Sequence, residues 1–289
     1  MDRPIIGQCH AAGHLIPIEL IAFVAAVGAG GFGALIGIGG GVILVPLLTV
    51  GLGVDIKLAI AASLLGVIAT SASAAASYLE RGLADRRLGL TLLVASAIGG
   101  ILGGYLAGLL DGRTISVLFG ILLFAVAIQM LLGRNRPSAE IVDLPSRLEF
   151  DSSYFEPTTG RAVAFRTRRV GPGALLSVLA GSVSGLLGVG GGVVNVPTMN
   201  LLMGVPIRVA MTTSTYMLGA TAAASAVLYY SRGQIDPLLV GPVVLGVFVG
   251  ARAGARLATR LPQHVLSLVF VGVALLFAAQ MLVRGLGAS

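Results

Sequence analysis

Charged residues, cysteine and tryptophan are all scarce in this sequence. Asp, Glu, Lys and Arg make up 11% of the 289 residues, and tryptophan is absent, whereas soluble domains carry about 25% charged residues. Hydrophobic residues make up 56%, which is too many for a water-shielded core, so lipid must solvate much of the chain. The single cysteine, Cys9, excludes an intramolecular disulfide and a cysteine-based metal site.

The long apolar runs contain hardly any ionisable residues. None of the twelve acidic residues lies at the centre of a run, and the histidines, His10, His14 and His264, lie near run ends. A proton pump normally needs an ionisable relay inside the membrane, so we expect any transport to be a uniport driven by the membrane potential. No nucleophile–base set, metal-ligand cluster or phosphate-binding loop is visible, and we expect no enzyme activity, metal or cofactor.

The formal net charge of +7 comes from basic residues that lie between the apolar runs. This placement is typical of membrane proteins, whose cytoplasmic loops are rich in arginine and lysine, and it argues against a nucleic-acid partner. Glycine, at 42 residues, is well above the average of about 7%. Without a Gly-X-Y period, this abundance indicates closely packed membrane helices and local helix breaks.

Most of the apolar runs are close to the ~20 residues with which a helix crosses a ~30 Å hydrocarbon core. The long runs lie at residues 16–36, 56–79, 88–110, 114–133, 173–188, 207–231, 238–258 and 263–283. Two shorter runs, 42–52 and 193–203, each follow a cluster of three glycines. The pattern predicts an all-α, polytopic bundle of transmembrane helices with about eight long and two short segments.

A long polar segment between residues 134 and 170 separates two apolar regions and contains seven arginines. We expect it to be a basic cytoplasmic linker that is exposed to solvent and partly disordered. The predicted organisation is therefore an N-terminal tail (1–15), a first transmembrane repeat (16–133), this linker (134–170) and a second transmembrane repeat (171–285).

The two transmembrane regions are copies of one unit. GIGGGVILVP at 37–46 aligns with GVGGGVVNVP at 188–197, an offset of 151 residues, and ten of the eighteen positions from 29 to 46 are identical to their equivalents. The offset holds without a gap as far as Gln129, which aligns with Gln280. One register sustained over so long a stretch does not arise by chance. The sequence therefore predicts two pseudo-symmetric repeats.

The relative orientation of the repeats depends on the short runs. If the short runs are only kinks, each half crosses the membrane four times and the copies are parallel. If each short run is a separate segment that returns toward the other face, each half crosses five times and the copies are inverted. The basic pair Arg86 and Arg87 has no basic equivalent, whereas Arg252 and Arg256 fall at the other end of the equivalent helix. Inverted copies must move a basic cluster in this way to keep it cytoplasmic. We favour five plus five crossings, with the linker inside and both termini outside.

Two glycine-rich breaks, each followed by a short run with a proline, form the candidate binding site. Glycine costs about 1 kcal/mol relative to alanine in a helix, and in lipid such a break is stable only where it is buried in protein or lines a wet cavity. The N–H groups at the start of the following helix carry partial positive charge and can bind an anion. The alternative is tight helix crossing through small residues. The candidate residues are Gly39, Gly40, Gly41 and Pro46, with Gly190, Gly191, Gly192 and Pro197.

Polar side chains follow the breaks. They are Ser63, Asn195, Thr212, Thr213, Ser214 and Thr215. Ser63 is the equivalent of Ser214, and Asn195 replaces Leu44 of the first half. Hydroxyl groups can donate to an oxyanion, or they can bond to carbonyls of their own helix. Asn195 has a corresponding alternative, a hydrogen bond between helices.

Two basic residues occupy equivalent positions at helix starts. Lys57 and Arg208 could attract an anion at a vestibule, or they could mark solvated loop ends.

The paired signatures GIGGGVILVP and GVGGGVVNVP, each about ten residues before a helix rich in small and hydroxyl residues, resemble the TauE/SafE family of sulfite exporters. The GARLA run at 254–258 also resembles this family. The resemblance covers nearly the whole chain outside the linker. It implies a bacterial or archaeal inner-membrane permease for sulfite, thiosulfate, sulfonates or sulfoacetate, with the glycines and prolines of the two signatures as motif residues.

We therefore expect a multi-pass permease that exports a small sulfur-containing anion by alternating access and binds it near the midplane between the two breaks. Its partners would be that inorganic or organic anion and membrane lipids. Whether the chain forms a homo-oligomer is left open. Two alternatives remain open. One is a channel-like anion pore, and the other is a membrane scaffold or sensor that acts through the basic linker.

Overall fold

The helices of the two halves form the body of the protein. The computed structural model describes residues 18–36, 40–80, 85–132, 151–156, 161–167, 169–257 and 263–287. The helices of the first half are α1 (Ile18–Ile36), α2 (Gly41–Pro46), α3 (Ile56–Glu80), α4 (Arg86–Leu109) and α5 (Gly112–Leu132). Those of the second half are α6 (Val170–Leu187), α7 (Gly192–Pro197), α8 (Ile207–Ser231), α9 (Pro237–Leu257) and α10 (Gln263–Leu286). The predicted helical architecture is confirmed.

Each short helix continues into a π-helical turn. α2 leads into Leu47–Gly51 and α7 into Thr198–Leu202; we call the continuous segments 41–51 and 192–202 the first and second half-helix. A proline ends each α-helical part, and its ring crowds the carbonyl four residues earlier and offers it no N–H, which favours the wider π turn.

One threonine side chain in each half-helix bonds to a carbonyl of the same half-helix. Thr49 Oγ1 donates to the Val45 carbonyl and Thr198 Oγ1 to the Val194 carbonyl, both at 2.8 Å. Each hydroxyl lies four residues after its acceptor, so both bonds stay within one half-helix, as hydroxyl bonds in membrane helices often do. The Val194 carbonyl also accepts the backbone N–H of Thr198.

The elements of the two halves occur at equal offsets. The half-helices, and likewise α3 and α8, begin and end at positions that differ by 151 residues. α1 packs against α9, and its equivalent α6 packs against α4, which is the equivalent of α9. α3 packs against α8 and α5 against α10. This pairing is the one that a pseudo-twofold relation between the halves requires.

Glycines spaced four residues apart set the closest helix crossings. A Cβ atom on Gly246, Gly250 or Gly254 of α9 would overlap the backbone of α1 at Phe23, Val27 and Gly31, respectively. Gly99 and Gly103 of α4 approach Val178 and Ser182 of α6 in the same manner. Because the contacts advance together along both helices, each pair is parallel. Small residues at this spacing are typical of packed membrane helices.

Helices α4 and α8 also run parallel. The hydroxyl of Thr221 donates to Ser96 Oγ, and that of Ser225 donates to the Gly100 carbonyl, each at 3.0 Å. Both partners therefore advance by four residues together.

Helices α5 and α10, in contrast, run antiparallel. A Cβ atom on Gly285 would lie 3.0 Å from the Arg113 carbonyl oxygen, and one on Gly120 would lie 2.7 Å from Leu282 Cγ. The early part of α5 thus meets the late part of α10.

The segment predicted to be a partly disordered linker contains a β-hairpin. β1 (Asp151–Glu156) pairs antiparallel with β2 (Arg161–Arg166), and the register sets Asp151 across from Arg166 and Glu156 across from Arg161. The high charge content of this segment predicted disorder and gave no indication of a strand. Residues 134–150 of the linker lie outside the described residues.

Within the described residues, five helical stretches are long and apolar enough to cross a membrane. They are Arg86–Leu109, Gly112–Leu131, Val170–Leu187, Pro237–Gly254 and Leu268–Leu286. Shorter apolar helical stretches lie at Glu19–Gly33, Gly41–Gly51 and Ile56–Ala72. The chain is therefore a multi-pass membrane protein, while the total number of crossings stays a prediction.

The second half of α4 has small residues inside and large apolar residues outside. On α4, Ser96, Gly100 and Ala107 are buried, whereas Ile101 and Leu109 are exposed. Exposed large apolar side chains are favourable in lipid, and small buried residues let the helix backbones approach each other. Elsewhere the core also contains large side chains, such as Phe119 and Phe270, so it is the exposed apolar surface that distinguishes this protein from a water-soluble bundle.

Candidate functional site

The start of the first half-helix touches the glycine-rich break of the second half. A Cβ atom on Gly41 would overlap the carbonyl oxygen of Gly188 and would lie 3.2 Å from Val189 Cα. Both Gly41 and Gly188 are buried. The two breaks that the sequence singled out are therefore brought together inside the bundle, where lipid does not reach the irregular backbone.

Ser63 of α3 joins this contact. Its hydroxyl donates to the Gly188 carbonyl at 2.7 Å, and its side chain is fully buried. The equivalent hydroxyl, on Ser214 of α8, is also buried, but its Oγ atom has no hydrogen-bond partner in the described part of the chain. The two hydroxyls, 151 residues apart in the sequence, thus differ, since one is bonded and the other is unpaired among the described residues.

Both half-helices begin with backbone N–H groups that have no acceptor within the helix. The first bonds of the first half-helix run from the Ile43 and Leu44 N–H groups to the Gly40 carbonyl, at 3.3 and 3.0 Å. Those of the second run from the Val194 and Asn195 N–H groups to the Gly191 carbonyl, at 3.2 and 2.8 Å. The N–H groups that precede these stay unbonded within the helix. Such groups can bind an anion without a basic side chain.

Glycine is required in the second break by its backbone conformation. Gly188 and Gly190 have φ values of 69° and 77°, in the left-handed region that only glycine adopts readily. Gly191 and Gly192 follow with no positive φ, and Gly192 opens α7. Of the first break, Gly40 is described as the residue before α2, whereas Gly39 lies outside the described residues.

Asn195 lies on the second half-helix with its whole amide buried. The residue is 1% exposed, and neither Oδ1 nor Nδ2 has a hydrogen-bond partner among the described residues. A Cβ atom on Gly191 would lie 3.1 Å from Asn195 Nδ2 and 3.3 Å from the Ala180 carbonyl oxygen. The amide therefore lies between the second half-helix and α6. The interhelical hydrogen bond considered from the sequence is not formed there.

The threonines beside Ser214 are bonded elsewhere. Thr212 Oγ1 donates to the Val209 carbonyl at 3.1 Å and Thr215 Oγ1 to the Met211 carbonyl at 2.9 Å, as hydroxyls in membrane helices often do. The fully buried Thr213 accepts a hydrogen bond from the Asp85 N–H at 3.1 Å. Of this group, Ser214 alone has an unpaired buried hydroxyl, and a role for the threonines stays a prediction.

The two motif prolines lie within the half-helices, five residues after the first residue of each. Pro46 is buried and Pro197 half-buried, and each marks the change from α-helix to π-helix. Neither can donate a backbone hydrogen bond.

The two candidate vestibule residues lie at helix starts. Lys57 is the second residue of α3 and is half-buried, and its N–H donates to Asp55 Oδ1 at 2.8 Å. Arg208 is the second residue of α8, and its side chain lies outside the described part of the structure.

Two buried serines of α6 were not predicted as site residues from the sequence. Ser177 and Ser184 are fully buried, and within the described chain their hydroxyls have no hydrogen-bond partner. At the 151-residue offset they replace Ala26 and Gly33. Comparing the halves for residues that are polar in only one copy would have found them.

The buried polar side chains around the breaks are uncharged. Among the described residues they are Ser, Thr and Asn, together with Tyr229, whose hydroxyl donates to the Gly185 carbonyl at 3.0 Å. No three His, Cys, Asp or Glu residues of that part lie close enough together to hold a metal ion. Outside the membrane-spanning segments, a hydrogen bond from Thr114 Oγ1 at 2.5 Å holds the pKa of Asp111 below its usual value. That carboxylate precedes α5 and is not part of the breaks.

Comparison with known proteins gives a consistent picture. The chain is 27% identical over 265 residues to "Probable membrane transporter protein YunE" of Bacillus subtilis, covering 89% of this chain and 95% of that one. It is 27% identical to "Probable membrane transporter protein" of Xylella fastidiosa over 87% of this chain and 90% of that one. An Arabidopsis thaliana protein, "Sulfite exporter TauE/SafE family protein 3", is 28% identical over 148 residues, which cover 50% of this chain and 28% of the plant protein.

No solved structure matches this chain significantly. The sequence profile of the family described as "Sulfite exporter TauE/SafE" matches residues 22–281, which include both breaks and all the long helices in whole or in part. The family and the names of the relatives describe membrane transporters, as the sequence predicted. The chain belongs to the sulfite exporter TauE/SafE family.

Proposed function

We propose that the chain is a permease that exports a small sulfur-containing oxoanion, such as sulfite, thiosulfate or an organosulfonate. The observation that carries the proposal is the meeting of the two breaks, where the start of the first half-helix abuts Gly188 and Ser63. Unbonded N–H groups at a helix start favour an anion, and the absence of buried charge among the described residues suits a ligand that must also leave. The family description supports sulfite or a related anion as the substrate.

The transport cycle in this proposal needs an inverted pair of repeats. With ten crossings, α4 is the fourth and α8 the eighth, so they run parallel, whereas α5 and α10 are the fifth and tenth and run antiparallel. With eight crossings both relations would be reversed. The contacts of Ser96 with Thr221 and of Gly285 with Arg113 support ten, with each half-helix counted as one crossing segment.

Inverted repeats give a direct route to alternating access. The two halves exchange conformations when one repeat rocks against the other, and the central site then opens to the opposite face. The glycine-lined crossings of α1 with α9 and of α4 with α6 each join one half to the other. In the proposed cycle, the two helices of each of these pairs therefore move when one half rocks against the other.

The proposal is tested by ligand binding to the purified protein. Sulfite, thiosulfate, sulfate and chloride are added separately and the melting temperature is measured. A ligand at a hundred times its dissociation constant adds about 2.7 kcal/mol of stability to the folded state. We expect a selective rise in melting temperature with a sulfur oxoanion and no comparable rise with chloride.

Two other outcomes would count against the proposal. No shift with any anion at millimolar concentration favours a larger substrate, or a scaffold that acts through the linker. Transport that never saturates with substrate favours a channel-like pore.

A further inference from the structure

Two buried polar side chains of the second half have no partners among the residues that the structure describes. Asn195 on the second half-helix is 1% exposed and Ser177 on α6 is fully buried. In the described part of the chain, the Asn195 Oδ1 and Nδ2 atoms and the Ser177 hydroxyl make no hydrogen bond. Buried polar groups are normally paired, so three unpaired atoms in one region indicate that something else bonds to them.

Contacts along the two helices bring these side chains to the same level. A Cβ atom on Gly191 would touch the Ala180 carbonyl at 3.3 Å, and one on Gly173 would lie 3.1 Å from Met203 Cγ. The second half-helix therefore descends antiparallel to α6, from the level of Ala180 to that of Gly173. Asn195, four residues after Gly191, falls between these levels, as does Ser177.

The first half lacks this polar pair. The equivalents of Asn195 and Ser177 are Leu44 and Ala26, which are 1% and 0% exposed and belong to the hydrophobic core. Ser63, in turn, is bonded to Gly188, whereas its equivalent Ser214 is unpaired. The unpaired polar atoms therefore distinguish the second repeat from the first.

We propose that Asn195 and Ser177 form a binding pocket that belongs to the second repeat alone, and that it takes a singly charged oxoanion carrying one O–H group. This inference rests on the proposed transport of an oxoanion and adds its position and its protonation state. The anion is bound off the pseudo-twofold axis, against the second half-helix, instead of being shared equally by both repeats.

The donor and acceptor pattern gives the chemical class. The amide Nδ2 donates and the amide Oδ1 accepts, while a serine hydroxyl does either. An oxoanion oxygen accepts from Nδ2, but Oδ1 needs a ligand that donates, which a fully deprotonated oxoanion cannot do. An anion that retains one O–H group satisfies both atoms.

The lack of charge in the pocket points the same way. The buried polar residues of the described chain include no lysine or arginine, so no cation offsets the cost of removing an anion from water. In a continuum description that cost grows with the square of the charge. A single charge is therefore favoured over a double one.

The experiment compares three anions with wild-type protein across a range of pH. Sulfite changes from a singly to a doubly charged form, sulfate is doubly charged without an O–H group, and methanesulfonate is singly charged without one. We expect sulfite to bind best, with its apparent dissociation constant rising about tenfold per pH unit once the monoprotonated fraction falls. Methanesulfonate should bind more weakly than sulfite at pH values where the monoprotonated form of sulfite predominates, and its flat profile would show that the protein itself is unchanged.

The matched variant converts the pocket to its first-half counterpart. Asn195→Leu combined with Ser177→Ala reproduces the Leu44 and Ala26 pair, which already packs in this fold. We therefore expect the double variant to have an unchanged or higher melting temperature. We also expect it to bind sulfite at least tenfold more weakly than the wild-type protein does. Ser182→Ala serves as the control, since that hydroxyl bonds to Val178 in its own helix, and it should bind as wild type does.

The possible results distinguish failure of the proposed pocket from failure of the proposed function. Sulfite binding that is equal in the double variant, or that follows the doubly charged form, overturns the pocket while leaving the proposed function in place. Failure of the wild-type protein to bind sulfite overturns the pocket, and failure to bind thiosulfate and methanesulfonate as well overturns the proposed function too.

Discussion

Gly41 is the residue at which the first half-helix and the second break make their closest approach. Its Cβ position is occupied by the Gly188 carbonyl and lies 2.7 Å from Ser63 Oγ. The glycine is therefore needed for space, because its backbone lies outside the left-handed region. The sequence identified this triplet as a helix break, but contact with the opposite break required knowledge of the tertiary packing.

A first prediction concerns this contact. Gly41→Ala forces backbone apart at the site, and we expect it to destabilise the protein by about 1–3 kcal/mol and to abolish anion binding. Gly51→Ala, in the same half-helix, has open space around its Cβ position and should differ from wild type by less than about 1 kcal/mol. Melting temperature and sulfite binding measure both effects. Equal melting temperatures and equal sulfite binding in the two variants would show that Gly41 is not part of the site.

The hydroxyls near the breaks mark the limit of residue-level prediction. Spacing after the break singled out a run of four, yet two of them bond to their own helix and one to the start of α4. Which way a hydroxyl donates depends on the neighbouring helix and not on its position in the sequence. The unpaired serines of α6 were missed because they lie before the break.

The helix elements themselves follow closely from hydropathy. The run 207–231 coincides with α8, and the runs 42–52 and 193–203 lie within one residue of the two half-helices. The π turns and the hairpin of the linker were not predicted. Proline alone does not distinguish a kink from a wider turn, and the hairpin depends on cross-strand pairing between residues that hydropathy treats as a single polar segment.

A second prediction concerns the crossing of α1 with α9. A Cβ atom on Gly250 would overlap the Val27 carbonyl, and backbone cannot move aside cheaply, so we expect Gly250→Ala to cost about 1–3 kcal/mol. Gly272→Ala in α10 is the control, because nothing lies within 4 Å of its Cβ position. Thermal unfolding in detergent compares the two. A melting temperature as high for Gly250→Ala as for the control would contradict the close crossing.

At the scale of the whole molecule, the direction of the helices determines which segments share a side of the membrane. Parallel α4 and α8, together with antiparallel α5 and α10, favour five crossings in each half. The shift of the arginine clusters had predicted the same arrangement from sequence alone. Charge placement bears on this question because the positive-inside rule acts on each repeat independently, and the number of crossings stays a prediction.

A third prediction follows for the accessibility of the linker and the C-terminus. In a Cys9→Ser background, we expect Ser289→Cys to react with a membrane-impermeant maleimide added outside intact cells. Ser138→Cys, in the linker, should react only after the membrane is permeabilised. Labelling of both positions from the same side would favour four crossings in each half instead.

The central claim, export of a sulfur oxoanion driven by voltage, is tested most directly by efflux from proteoliposomes. Vesicles are loaded with radiolabelled sulfite at equal pH inside and outside, and the membrane potential is set with a potassium gradient and valinomycin. An interior-negative potential favours anion exit by about 2.3 kcal/mol per charge per 100 mV. We predict efflux that saturates with internal sulfite, accelerates as the interior becomes more negative, and is lost in Gly41→Ala. Efflux no faster than from empty liposomes, or efflux that needs a pH gradient at clamped potential, would contradict the account.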